Sequence, residues 1–376
     1  MFTDKEPFLN ERSSFPDVHQ MILCDLSDLR VLEQNIKQLQ NNGRQIELIV
    51  SFLESHVHTA ALLSEKFCRS ILSTEAIMKM EDKILTRKAL QHTSYCPYFT
   101  TWEPQESLSA CLQRTASRLP LVVKSPTSTG SKDVLKAETQ AQWESALTKM
   151  RTKFPDQKLL IEEYLDGPQF LVEAVVVEGE THMVAVIEQD IRLFSRFIVM
   201  GYDVLTYADM DREFREEIKI AVDEIVEGFE MRNGALHLEM RYVKGAWKLI
   251  EANPRISGGA MNRMIEVAKG INLLEETLKF LLGEEPNLTI RQERNTYTQY
   301  VTVNQTGILE SVSGRNRAAR MEGVAEVFLK PRRGQKVRYP ESMGHRYAYV
   351  IATGDSRAQA RENARRAARE IQFHTR

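Results

Sequence analysis

Long apolar runs are missing from this 376-residue chain. The best of them, Leu171-Val172-Glu173-Ala174-Val175-Val176-Val177, is strand-sized and far short of the ~18 residues a membrane helix needs. The opening Met1-Phe2-Thr3-Asp4-Lys5-Glu6 lacks the basic-then-apolar order of a signal peptide. The four cysteines, Cys24, Cys68, Cys96 and Cys111, stand far apart, with none of the close pairs of a zinc site or redox motif. Internal repeats and low-complexity tracts are absent as well. Together these absences predict a soluble, reduced, cytoplasmic protein with no membrane partner. A formal net charge of −2 gives no reason to expect nucleic acid. Residues 314–376 are basic, with 15 Lys/Arg against 6 Asp/Glu, but these arginines are spread over turns and a helix and read as a solvated face. What remains is ordinary globular material: 42% hydrophobic residues, 27% charged, and a length that favours two or three domains.

The first unit has an α/β pattern. Leu29, Leu32, Ile36 and Leu39 recur at helical spacing after the helix-start signal Asp25-Leu26-Ser27-Asp28, and Asn41-Asn42-Gly43 ends the run. Residues 46–52 predict a buried strand and residues 60–67 the next helix, an order that suits a parallel sheet. A doubly wound unit opens on a strand and a glycine-rich turn, and Met1 comes too early for either, so this unit is expected to be shortened.

Further along, helices are expected over 77–91, 140–150, 213–231 and 262–282. Strands are expected at Leu121–Lys124, Leu159–Glu163, 172–177 and 183–188, with a hairpin over 235–252 turning at Lys244-Gly245-Ala246. After Pro286 come short strands at 298–304, 324–329 and 346–352, then a helix capped by Ser356 with Ala360, Ala364, Ala367 and Ile371 as its buried stripe. The fold class is α/β and α+β.

The hairpin carries the strongest chemical signal. His237-Leu238-Glu239 lies on its first strand and Glu251-Ala252-Asn253-Pro254-Arg255 ends its second. Glutamate is a poor choice for a central strand unless paired or liganded. A two-residue turn pairs Glu239 with Ile250 and puts Glu251 on the other face. A three-residue turn with Gly245 in the left-handed position pairs Glu239 with Glu251. Two facing carboxylates and the Asn253 amide form a hard oxygen site suited to Mg²⁺, with phosphates completing its shell. The competing reading is a surface hairpin with solvated acids. Against it, the acids are embedded among Leu238, Leu249 and Ile250. Lys124 ends an apolar strand before the small-residue loop Ser125-Pro126-Thr127-Ser128-Thr129-Gly130-Ser131-Lys132, whose amides suit phosphates. The loop lacks the Gly-Lys-Ser/Thr order of a P-loop.

The order of these pieces, with Asp82-Lys83 at a helix start and Ile161-Glu162-Glu163-Tyr164-Leu165-Asp166-Gly167, resembles the ATP-grasp superfamily. Within it the chain resembles the carboxylate–amine (L-amino-acid) ligases and, more distantly, biotin carboxylase. The resemblance implies an ATP-grasp fold. Residues 1–80 would form a shortened Rossmann-like (pre-ATP-grasp) domain, 81–295 the ATP-grasp domain and 296–376 a small C-terminal α+β domain. It implies that Lys83 and Lys124, with Ser128, Gly130 and Ser131 of the loop, contact ATP phosphates. Glu162, Glu163, Tyr164 and Leu165 would form the hinge, with backbone at Glu163 and Leu165 reading adenine. Gln169 would face the ribose, where the family usually has an acid or histidine. Glu239, Glu251 and Asn253 would hold Mg²⁺ (or Mn²⁺). Arg255 would take the substrate carboxylate, and the Gly258 and Gly259 amides would help stabilise the oxyanion. His237 and Arg241, on the Glu239 face, would touch substrate. The implied reaction activates a carboxylate as an acyl phosphate and joins it to an amine, releasing ADP and phosphate. The family also suggests a homodimer. Two other readings stand beside it: biotin-carboxylase-like chemistry, and a nucleotide-binding protein with reduced or lost activity. The second is motivated by Gln169 and by Asp133, which sits where many relatives have glycine.

Overall fold

In a computed structural model, residues 1–127, 133–194 and 197–376 are described. The scaffold is an eight-stranded antiparallel sheet. Its spatial order is Ala246–Asn253, Gly234–Val243, Gln169–Val177, Glu180–Leu193, Phe197–Val204, Asn295–Val301, Ala348–Gly354 and Val324–Leu329. Alternation along Gln169–Val177 explains how this sheet is buried. Phe170, Val172 and Val176 face the helix Arg212–Gly228, which packs Ile218, Ala221, Val222 and Ile225 against them. Leu171 and Val175 face the opposite side, under the helices Met261–Lys269 and Leu273–Leu281. The residues on the Leu171 side at one end of the sheet are polar, and that end carries the site.

A second, four-stranded antiparallel sheet has the order Phe99–Trp102, Leu159–Glu163, Leu121–Lys124, Val134–Ala137. Trp102, Trp143, Leu147 and Met150 pack on one face with Leu121, Val123, Leu159 and Ile161. Alternation then puts Lys124 and Glu162 together on the other face.

Several expectations need correction. Residues 46–52 join no sheet. They run extended between two cores, with Ile46 and Ile49 packed on one and Leu48, Val50 and Phe52 on the other. That two-sided burial mimics a central strand in sequence. The first strand is present as a two-residue element, Phe2–Thr3, parallel to Ile22–Leu23. The helix expected over 77–91 is two helices, Thr74–Glu81 and Lys83–Leu90. Asp82 breaks it and caps the second through the Ile84 and Leu85 amides at 2.7 and 3.0 Å. The helix expected over 262–282 breaks at Gly270, which takes φ +73°. Strand Phe197–Val204 was not foreseen. Three of the C-terminal strands, Asn295–Val301, Ala348–Gly354 and Val324–Leu329, extend the large sheet, and Lys336–Val337, Gly307–Ser313 and Gln372–Thr375 form a further three-stranded sheet. The final helix, Arg357–Glu370, begins on Ser356 and buries Ala360, Ala364 and Ala367. Its arginine face is not simply solvated: Arg357 and Arg361 pair with Asp203, Arg357 also with Glu188, and Arg365 with Asp190.

Gly167 fixes the approach of the two sheets. A Cβ there would run into the Tyr242 carbonyl oxygen, and the Tyr242 N–H donates to the Pro168 carbonyl at 3.1 Å. Gly167→Ala is therefore expected to destabilise the protein by about 1–3 kcal/mol. Urea denaturation checks this, with Gly258→Ala as control, where a Cβ meets no neighbour within 4 Å and the backbone φ is not positive.

Candidate active site

The acidic hairpin reaches its geometry by a route neither turn option anticipated. Val243 pairs with Ala246, so Lys244-Gly245 is a two-residue turn, with φ +50° and +80°. That turn pairs Met240 with Leu249. Ile250 is then an extra residue, a bulge, and beyond it Glu239 pairs with Glu251. The bulge restores the facing carboxylates that the short turn alone would have separated. The Ile250 carbonyl accepts from Arg87 Nη2 at 2.6 Å.

Around this pair the charges are matched side chain by side chain. Lys83 Nζ lies 3.3 Å from Glu251 Oε1. Gln169 Nε2 donates to Glu239 Oε2 at 3.0 Å, and Arg241 donates to Gln169 Oε1 at 3.2 Å and to the Leu165 carbonyl. His237 Nδ1 meets Glu173 Oε1 at 2.5 Å, and its Nε2 lies 3.9 Å from Glu239 Oε1. Across from the hairpin, Lys124 Nζ and Arg87 Nε each lie 2.5 Å from one oxygen of the buried Glu162.

Burial pushes Glu162 toward neutrality, but the Arg87 and Lys124 charges hold its carboxyl below the usual range. Burial also lowers Lys124, opposed by Glu162. Glu239 is held low against burial by His237 and by the two lysines. Glu251 is raised by burial and by the charges of Glu239 and Glu54, against the pull of Lys83. Glu251 thus retains part of the repulsion from its neighbouring carboxylates, which is what a divalent cation removes. Among the described residues no three His, Cys, Asp or Glu side chains converge to hold a metal on their own. Two carboxylates and an amide suit an ion whose shell is shared with phosphate oxygens, so the residues fit Mg²⁺.

A cleft of about 440 Å³ opens beside Lys83, Glu251, Asn253 and Arg255, walled on its far side by Glu54 and Glu81. Arg255 Nη2 lies 3.0 Å from Glu54 Oε2, and its Nη1 donates to the Ile256 carbonyl. Thus Lys83, Glu239, Glu251, Asn253 and Arg255 converge. Lys124 sits behind them against Glu162. Tyr164 lies under the Lys136 ammonium, 3.6 Å from the ring centre, and Glu163 binds the Tyr98 amide through its side chain. Arg241 stands at the hinge rather than along the cleft. Gly258 and Gly259 are exposed and do not line it. Ser128, Gly130 and Ser131 lie outside the described residues. Asp133 is tied to Lys153.

Three residues went unread in the sequence. Glu173 is fully buried and bridges His237 to the Ser257 amide at 3.3 Å. A lone acid inside the most apolar strand, opposite a histidine, was the available signal. Arg87 lies one helical turn after Lys83 and so on its face. Glu54, opening a short 3₁₀ turn, gave none.

Burial alone would lower His237, but the Glu173 carboxylate, with Glu239 behind it, pushes it up to about 10. The folded value lies above the unfolded value of about 6.5. The stability this pair contributes is therefore complete below about pH 6.5 and is lost as pH rises toward 10. The thermal midpoint of the wild type is expected to fall across that window. His237→Gln is expected to flatten the fall.

A family model described as an ATP-grasp domain matches residues 117–263. A second, described as L-amino acid ligase C-terminal domain 2, matches residues 299–376. The chain is 22% identical to an L-arginine-specific L-amino acid ligase of Bacillus subtilis over 85% of this chain and 78% of that one. It is 27% identical to protein y4rH of Sinorhizobium fredii over 57% of this chain, spanning only 44% of that protein. The crystal structure of an L-amino acid ligase from Bacillus licheniformis superposes with a TM-score of 0.80 at 22% identity, covering 96% of this chain and 89% of that one. At that identity the likeness establishes the fold, which is ATP-grasp. Among the described residues no helix is long and apolar enough to cross a membrane.

Proposed function

We propose that this chain, an ATP-grasp enzyme ending in an L-amino acid ligase C-terminal domain, joins a carboxylate to an amine, with an amino acid as the amine, at the expense of ATP. The observation that carries the reading is that Glu251, paired across the hairpin with Glu239, lines the same cleft as Lys83, Asn253 and Arg255.

Lys83 and Lys124 are the phosphate cations. At the hinge, the Glu163 N–H is committed to the Tyr98 carbonyl and the Leu165 carbonyl to Arg241. The Glu163 carbonyl and the Leu165 N–H are then the acceptor and donor this segment offers an adenine edge. Gln169, itself held by Arg241, is the polar group nearest the expected ribose. Glu239, Glu251 and Asn253 would hold Mg²⁺, which when bound neutralises phosphate oxygens during phosphoryl transfer.

In the first step a substrate carboxylate oxygen attacks the γ-phosphorus, the bond to the β–γ bridging oxygen breaks, and ADP leaves. Arg255 orients that carboxylate in a fork geometry. To do so it exchanges Glu54 for the substrate. In the second step the amine nitrogen, its ammonium proton already lost to solvent, attacks the acyl carbon, phosphate leaves with the carbon–oxygen bond electrons, and the second proton passes from nitrogen to the departing phosphate. Lys83, beside Glu251, stays close enough to the phosphates to offset their charge in both steps.

Phosphate release is expected only when ATP, a carboxylate donor and an amine are all present. A screen of amino-acid pairs by phosphate release, with mass spectrometry of the condensed product, checks this, and no productive pair would refute the reading. Glu251→Gln is expected to lower turnover by about 10²–10³-fold. Glu54→Gln removes the competing carboxylate and is expected to lower the KM of the carboxylate substrate several-fold with kcat nearly unchanged.

A further inference from the structure

We propose that Arg87 is a positioning residue that holds the acidic hairpin in its metal-binding register and ties it to the phosphate lysine. The inference rests on the metal site of the preceding section. It assigns a task to a side chain outside that site.

A two-residue turn dictates a register in which Glu239 opposes position 250, and only the bulge at Ile250 brings Glu251 opposite Glu239. A bulge interrupts the ladder, and its backbone groups must find partners elsewhere. Arg87 supplies one, its Nη2 donating to the Ile250 carbonyl at 2.6 Å. The same guanidinium places Nε 2.5 Å from Glu162 Oε1, and the other oxygen of Glu162 lies 2.5 Å from Lys124 Nζ. One rigid fork therefore joins Glu162, the carboxylate that holds Lys124, to the strand that carries Glu251. Arg87 is fully buried, and its charge cannot be lost by deprotonation. Its length and planarity are used in full: an ammonium reaches one of the two acceptors, not both at this separation of donors. Its third nitrogen, Nη1, has no partner among the described residues. The arginine is therefore poorly explained as a device for satisfying its own hydrogen bonds. It is well explained as a clamp set by two targets.

A residue that merely supports the fold would weaken nucleotide and metal binding together, or neither. A clamp on the bulge weakens the metal selectively. The test uses Mn²⁺ as probe, followed by electron paramagnetic resonance in the presence of ADP, with ADP binding in EDTA measured separately by calorimetry. Arg87→Lys keeps the charge for Glu162 and releases Ile250. It is expected to weaken Mn²⁺ binding by about 10–100-fold while metal-free ADP affinity stays within about twofold. In a Glu251→Gln background the same change is expected to have no further effect on Mn²⁺. Deleting Ile250 supplies a second test. The two-residue turn then pairs Glu239 with Glu251 by an uninterrupted ladder, so this variant is expected to bind Mn²⁺ and to make Arg87→Lys silent. Unchanged Mn²⁺ affinity in Arg87→Lys, or equal loss of Mn²⁺ and metal-free ADP, overturns the proposal. If Arg87→Lys does not fold, loss of Mn²⁺ binding on deleting Ile250 in an otherwise folded protein overturns it instead. None of these readouts requires turnover. A wild type that binds Mn²⁺ with ADP but yields no condensed product would sink the ligase reading and leave this one standing.

Discussion

Two carboxylates held opposite one another on neighbouring strands are the constraint around which the rest is arranged. Like charges at directly opposed positions destabilise a strand pair, and burial makes the repulsion worse because little water screens it. The neighbourhood answers with cations and donors in fixed places: Lys83 on Glu251, Gln169 and the His237 imidazolium on Glu239, Arg87 on the backbone between. Glu173 keeps the imidazolium charged and also holds the Ser257 amide. The loop after Arg255 is thereby anchored to the same strand that faces the acidic pair. A protein assembled for stability alone would put apolar residues at these positions. The proposed divalent cation would offset that cost.

How much of this was legible depends on how local each determinant is. The hairpin, its acids, Asn253 and Arg255 lie within one continuous stretch, residues 234–255, and strand periodicity alone put His237, Glu239 and Arg241 on one face. Lys124 was legible because it ends an apolar strand. The register was not. Whether 239 meets 251 turned on a single extra residue, and sequence patterning carries no signal that separates a longer turn from a shorter turn plus a bulge. The partner that fixes the bulge is 163 residues away. Distance also hid Glu54, which opens a short 3₁₀ turn 201 residues from Arg255, and residues 46–52 misled because burial on two sides without neighbouring strands imitates a central strand. Helix lengths failed for a smaller reason. Asp82 and Gly270 each break a periodic apolar stripe that runs on past them, because the halves on either side bury into the same cores.

Lys83, Lys124 and Arg255, the cations proposed to meet phosphate or substrate, share a further property. Each is already matched to a carboxylate of the protein: Lys83 to Glu251, Lys124 to Glu162, Arg255 to Glu54. Leaving a buried cation unpaired would cost far more than a surface charge, so these carboxylates hold the site together whatever else is bound. Binding an anion at any one of them is then an exchange of partners rather than the making of a new ion pair, and the net gain from each contact is small. Affinity must come from several exchanges made together. On the proposed assignments, a phosphate taking Lys83 would free Glu251 for a divalent ion, and the ion would in turn strengthen the hold on the phosphate. A substrate carboxylate taking Arg255 would free Glu54, whose charge otherwise adds to the repulsion raising Glu251. The sites are therefore coupled through the carboxylates they release. A chemistry whose intermediate would be wasted by water gains from that arrangement, since no single ligand assembles the reactive geometry alone.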